Sequence, residues 1–131
     1  MTIECDLASL LQRMQPELQE GTFLFCTIAG ETVPEDLRPV ATFREKEGLT
    51  LLLRLEEAER RGIPGTFEAA WITLTVHSDL AAVGFLATVA MALAQAGIAC
   101  NAMSGFHHDH LFVPRSKADA AMTALRQLQN G

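Results

Sequence analysis

The 131-residue sequence predicts an α+β fold in which helices cover an antiparallel sheet. Two stretches of pattern carry that expectation. From Phe67 to Leu128 the order reads strand, helix, strand, strand, helix, which is most of a split βαβ unit of the ferredoxin-like kind. The stretch before it supplies a central strand, a hairpin and a short helix. The two stretches match in scale without being exact repeats, since the first lacks a helix between its opening strand and its hairpin. They are read as two βαββ-type half-modules, residues 1–65 and 66–131, sharing one core.

Each element has its own local reason. Asp6 is placed to cap a first helix whose Leu7, Leu10, Leu11 and Met14 recur at the i, i+3, i+4, i+7 spacing. Pro16 ends it near Met14 or Gln15. Residues 22–29, Thr-Phe-Leu-Phe-Cys-Thr-Ile-Ala, form a near-continuous apolar run and hence a central strand. Residues 30–39, with Pro34, read as a loop. Val40–Arg44 and Leu49–Leu53 flank Glu45-Lys-Glu-Gly48, a hairpin expected to hold Gly48 in the left-handed region. A short helix spans about Leu55 to Arg61 and stops at Gly62. Ile63-Pro-Gly65 is the most linker-like tripeptide.

The second half opens on a strand from Glu68 to Val76. A helix over about Ala81–Ala96 follows, with Leu86, Val89, Ala90 and Leu93 toward the sheet. Strands at Ile98–Met103 and His108–Val113 come next. Ser116-Lys-Ala-Asp119 reads as a capping-box variant, and Ala118, Ala121, Met122, Leu125 and Leu128 form the buried stripe of the last helix.

Composition narrows the function. At 49% hydrophobic and 20% charged residues the chain suits a folded soluble domain. The net charge of −6, with no basic stripe, argues against nucleic acid and anionic membranes as partners. Cys5, Cys26 and Cys100 are odd in number and far apart, so neither a disulfide framework nor a zinc ribbon is suggested; Cys26 and Cys100 read as buried free thiols. Acids near the start, rather than a basic segment, point away from a signal peptide and toward a reducing cytoplasm. Leu80 to Cys100 carries no charge and is long enough for a bilayer. Its alanines, Gly84, Thr88, Gln95 and Gly97 instead favour a helix buried on most sides.

A family resemblance rests on Val40–Thr50, Trp71–Ser78, Ala82-Val-Gly84, Ala94–Ile98, Asn101 and His108–Pro114. Together they resemble small bacterial ACT-domain proteins of a type once grouped as a domain of unknown function. The similarity spans nearly the whole chain. It implies two ACT-like modules split near Gly62–Gly65, and by extension amino-acid binding and regulation. Where an ACT loop usually reads Asp-x-Pro-Gly, this sequence has Asp79-Leu-Ala-Ala-Val-Gly84, which keeps an acid and a glycine and lacks the proline.

The residues themselves offer three chemistries. A small carboxylate could sit on the N–H groups near Val83 and Gly84, where the next helix begins, with its ammonium on Asp79 or Asp109. His77, Ser78, Phe85, Met103 and Ser104 complete that ligand-binding set. The plainer alternative is that Ser78 or Asp79 merely caps the helix and Gly84 relieves close packing. His77, His108 and His110 are the metal candidates, although alternation along a strand lets at most two residues of the 107–110 run converge. A proton-transfer enzyme would draw on Glu45, Glu47, His77, His107, Asp109 and His110, yet no nucleophile motif or phosphate loop accompanies them. The expectation is a regulatory ACT-like protein that binds a small molecule, with no cofactor and as a homodimer. A structural or partner-binding module is the alternative, ahead of a metal-dependent or acid–base enzyme.

Overall fold

The computed structural model describes residues 6–131, so Cys5 lies outside the described residues. Helix α1 (Leu7–Arg13) begins where the Asp6 carboxylate accepts the Ser9 N–H at 3.1 Å. It ends before Gln15, where the following Pro16 disfavours continued right-handed helix and the backbone takes a φ of +40°. The Gln15 carbonyl then accepts the Thr75 hydroxyl at 2.9 Å. Strand β1 (Pro16–Leu18) follows and pairs antiparallel with Ile72–Leu74. Sequence pattern did not reveal it, since three residues opening on proline carry no alternation to read.

Strands β2 (Phe23–Ile28), β3 (Ala41–Glu45) and β4 (Gly48–Arg54) lie in the order β3-β4-β2, all antiparallel, and helix α2 (Leu55–Arg61) follows. Two residues, Lys46 and Glu47, make the hairpin turn. Gly48 is not in the left-handed helical region as expected but at φ +155°, opening β4. A side chain there would bring its Cβ to 2.6 Å from the Ile28 carbonyl oxygen, so glycine is needed for close backbone approach. Gly62 ends α2 in the left-handed conformation, as the sequence suggested.

Strand β5 (Gly65–Leu74) starts earlier than the sequence indicated. Gly65 pairs with Cys26, so this part of the tripeptide Ile63-Pro-Gly65 is strand. Between Phe23 and Phe25 the register with β5 shifts, and Phe67 takes a φ of +64° there. Such a bulge places an extra residue on one strand and turns its side chain. The Phe67 ring meets that of Phe25 edge-on, 5.9 Å between centroids.

Helix α3 (Phe85–Gln95) is shorter than expected and starts four residues late. Neither Ser78 nor Asp79 caps it; Gly84 does, at φ +90°. Phe85, Val89 and Leu93 are its buried residues, with Leu86 packed beside them. The helix is not buried on most sides: Ala87, Ala94 and Gln95 are exposed and Met91 is 58% exposed. No helix among the described residues is long and apolar enough to cross a membrane. Strands β6 (Asn101–Ser104) and β7 (Asp109–Pro114) form an antiparallel hairpin. A 3₁₀ turn, Arg115–Lys117, precedes helix α4 (Ala118–Asn130). The expected capping box is absent, because the turn occupies its place and no side chain caps α4.

The chain divides into two compact units, residues 21–69 and residues 1–20 with 70–131, so α1 and β1 belong with the C-terminal elements. In the first, Leu24, Cys26, Leu49, Leu51 and Leu53 pack with Ala58 of α2. In the second, α1, α3 and α4 bury Leu10, Met14, Val89, Leu93, Ala121 and Leu125 with Ile72, Leu74, Leu111 and Val113 of the strands. This is the α+β architecture, helices on an antiparallel sheet, that the sequence predicts. Cys26 is buried and Cys100 only half-buried; both are free, and burial raises both thiol pKa values, which keeps them protonated and poorly nucleophilic.

Candidate functional site

The loop between β5 and α3 and the hairpin β6–β7 meet at one end of the C-terminal unit. Asp109, first residue of β7, is only 6% exposed. Its two carboxylate oxygens each accept a serine hydroxyl, Ser78 at 3.0 Å and Ser104 at 2.6 Å. Ser104 reaches it because the hairpin register sets Ser104 opposite Asp109, and Ser78 reaches it from a bridge position in the loop after β5. A cavity of about 180 Å³ opens beside them, lined by Ser78, Asp79, Leu80, Phe85, Ser104 and Asp109 together with Ala82 and Leu86. Among the described residues its walls hold two carboxylates and no lysine, arginine or histidine. The Asp109 carboxylate is buried with two neutral serine hydroxyls on its oxygens, so the cavity beside it electrostatically favours a cation.

Of the residues singled out from sequence, Ser78, Asp79, Phe85, Ser104 and Asp109 are therefore assembled around one cavity. Asp79 also accepts the Ala81 N–H at 2.8 Å, which shapes the loop ahead of α3. Val83 is 86% exposed and does not line the cavity. Gly84 lines a separate shallow groove with Ala87, Thr88, Met91, Gln95 and Leu128. A Cβ at Gly84 would meet only Leu7, at 3.8 Å, so its positive φ, not a close approach, calls for glycine. Met103 lies opposite His110 in the hairpin and is absent from the cavity wall. Leu80, Ala82 and Leu86 were missed, since apolar residues in a loop and first helical turn read simply as packing.

Three of the histidines, His77, His107 and His108, are neighbours, while His110 lies apart on Trp71. The His77 ring lies tilted beside that of His107, 5.4 Å between centroids, with Phe106 against both. The His108 Nδ1 lies 3.3 Å from the Val76 carbonyl oxygen. His110 instead takes the Trp71 indole N–H on its Nδ1 at 3.0 Å. Among the described residues no three His, Cys, Asp or Glu side chains are placed to hold one metal ion. Glu45 is engaged by the Thr50 hydroxyl on its own hairpin, and Glu47 is exposed in the turn.

Comparison with known proteins agrees with this fold. An ACT-domain family model matches residues 2–70, and a second ACT-domain model matches residues 66–127. The chain belongs to the ACT-domain family. A Vibrio cholerae protein of unknown function, described as a possible transport protein, is 45% identical, with a TM-score of 0.84 over 94% of this chain and 95% of that one. An Agrobacterium tumefaciens protein superposes at a TM-score of 0.70 and 17% identity over 87% of both chains. The ligand-free regulatory subunit of aspartate kinase from Thermus thermophilus gives 0.57 at 13% identity, over 86% of this chain and 95% of that one. A putative C-terminal regulatory domain of aspartate kinase from Porphyromonas gingivalis gives 0.61 at 10% identity, over 88% and 96%. These last three share the fold. No curated protein matches the chain.

Proposed function

We propose that this ACT-domain protein is regulatory and binds a small amino acid in the cavity between the β5–α3 loop and the β6–β7 hairpin. One observation carries the reading: a 6%-exposed carboxylate, Asp109, held by two serines beside a cavity without a cationic side chain. The ligand ammonium docks on Asp109, with Asp79 second. Its carboxylate takes backbone N–H groups at the start of α3, which lacks a side-chain cap, and Phe85 of that first turn lines the cavity. At about 180 Å³ the space is below the roughly 300–1,000 Å³ of drug-sized pockets, which suits a single small amino acid. The aspartate kinase regulatory domains among its structural neighbours support a regulatory role of this kind. The modules are taken as residues 1–65 and 66–131, and the protein as cytoplasmic. Calorimetric titration against the standard amino acids should give saturable heat with one or a few small members. Silence for all of them would return the protein to the partner-binding alternative.

The same reading includes a homodimer. Net charge opposes association of two copies, but residues 80–100 carry no charge, and the exposed side of α3 offers Ala87, Met91 and Ala94. Two copies meeting there bury apolar surface without facing like charges. Sedimentation equilibrium at micromolar concentration should give twice the 14.3 kDa chain mass, and Met91→Glu should return it to monomer. A wild-type protein that stays monomeric removes this assembly.

A further inference from the structure

Trp71 is the sole tryptophan of the sequence, and its indole N–H ends on His110. An indole only donates, so the Nδ1 of His110 must accept, and the proton of the neutral imidazole belongs on Nε2. Thr73 Oγ1 lies 3.1 Å from the same Nδ1, while Gln19 Nε2 donates to that hydroxyl oxygen at 3.1 Å. With Gln19 giving a proton to its oxygen, the Thr73 hydroxyl can turn its own proton to Nδ1. Trp71 and Thr73 belong to β5 and His110 to the neighbouring strand β7, so these bonds tie the two strands together on one face.

A second proton on His110 would have to sit on Nδ1, facing an indole N–H that cannot become an acceptor. The Trp71 bond is then lost. The charged groups around the ring are few. His108 lies two residues back, just before β7, and Asp109 adjoins His110 in the chain. On β1, Glu17 is the register partner of Thr73 but is exposed. β6 brings Met103 opposite, and the Gly105 position approaches Nε2 without a side chain. Burial lowers the His110 pKa below the ordinary imidazole value, His108 adds to this, and Asp109 opposes it.

The residue before His110 is the carboxylate of the cavity. Asp109 pairs with Ser104, as His110 pairs with Met103, so a shift of β7 against β5 moves Asp109 relative to Ser78. We propose that His110 is a proton-sensitive latch that joins β7 to β5 through Trp71 and Thr73 and thereby sets the position of Asp109 at the cavity. The latch acts on the cavity whether or not an amino acid is its ligand.

A pH titration of the full chain without ligand, read by Trp71 fluorescence and by imidazole and amide nitrogen NMR, tests this. Neutral His110 should show the Nε2–H tautomer. Trp71 emission should change with a midpoint below the ordinary value of about 6.5, and the Ser78, Ser104 and Asp109 amides should shift with the same midpoint. Because the folded-state value lies below the unfolded one, this share of stability is complete above about pH 6.5 and is lost as pH falls from there through the folded value. His110→Asn keeps an acceptor near Nδ1 and does not titrate, so it should retain the neutral-state emission and flatten the transition. Trp71→Phe removes a donor that opposes the imidazolium, so the His110 midpoint should rise. An Nδ1–H tautomer, a transition that survives in His110→Asn, unmoved cavity amides, or an unchanged or lower midpoint in Trp71→Phe would each overturn the proposal.

Discussion

Gly65→Ala is expected to destabilise the protein by about 3 kcal/mol, at the upper end of the range for overpacking a well-packed interior. Gly65 opens β5 opposite Cys26. A Cβ built there stands 2.6 Å from the Phe25 carbonyl oxygen and 2.7 Å from both Cγ and Cδ2 of Leu24. Leu24 is itself a buried member of the β2–β4–α2 cluster, so it has no open space to retreat into. The Phe25 oxygen is backbone in a paired strand, and moving it disturbs the pairing with β4 as well. Urea denaturation of wild type and variant measures the loss. Gly62→Ala is the control, since a Cβ there meets nothing within 4 Å and only the φ of +65° resists it, for about 1–2 kcal/mol. Equal losses at both positions would show that no close contact at Gly65 exists.

The same glycine shows where sequence reading succeeds and where it stops. Ile63-Pro-Gly65 has linker composition, and composition cannot reveal that another strand's carbonyl lies against the Gly65 α-carbon. Local signals were sound where one residue decides the backbone: Asp6 caps α1, Gly62 ends α2, and Lys46-Glu47 sits at the turn of its hairpin. They failed where tertiary contacts decide. β1 exists because Pro16–Leu18 can pair with the end of β5, and α3 starts at Phe85 because residues 78–84 are held as a loop. The Ser78–Asp109 bond, across 31 residues, is part of that restraint. The site was legible by residue type, in that Ser78, Asp79, Ser104 and Asp109 were all singled out. Their arrangement was not, because it depends on the hairpin register that sets Ser104 opposite Asp109. Trp71 and His110 were each visible as residues, but their bond joins two strands 39 positions apart.

Asp109→Asn should weaken amino-acid binding by about 1.5–3 kcal/mol, roughly 10- to 150-fold, while leaving the fold nearly unchanged. The substitution keeps the shape of the side chain. Its amide oxygen can still accept one serine hydroxyl, and its NH₂ can donate to the other serine oxygen once that hydroxyl turns, so neither Ser78 nor Ser104 is orphaned. What disappears is the negative charge, and with it the charge-assisted bond to an ammonium at a side chain that is itself only 6% exposed. Asp79→Asn should weaken binding less, because Asp79 is more exposed than Asp109 and one of its oxygens already takes the Ala81 N–H. Calorimetric titration with whichever amino acid gives heat with wild type measures both. Should Asp109→Asn bind as tightly as wild type while Asp79→Asn does not, the ammonium lies at the loop and the buried carboxylate is a structural clasp between Ser78 and Ser104. Should neither matter, the ligand is held by its carboxylate and side chain alone, and the electrostatic case for this cavity fails.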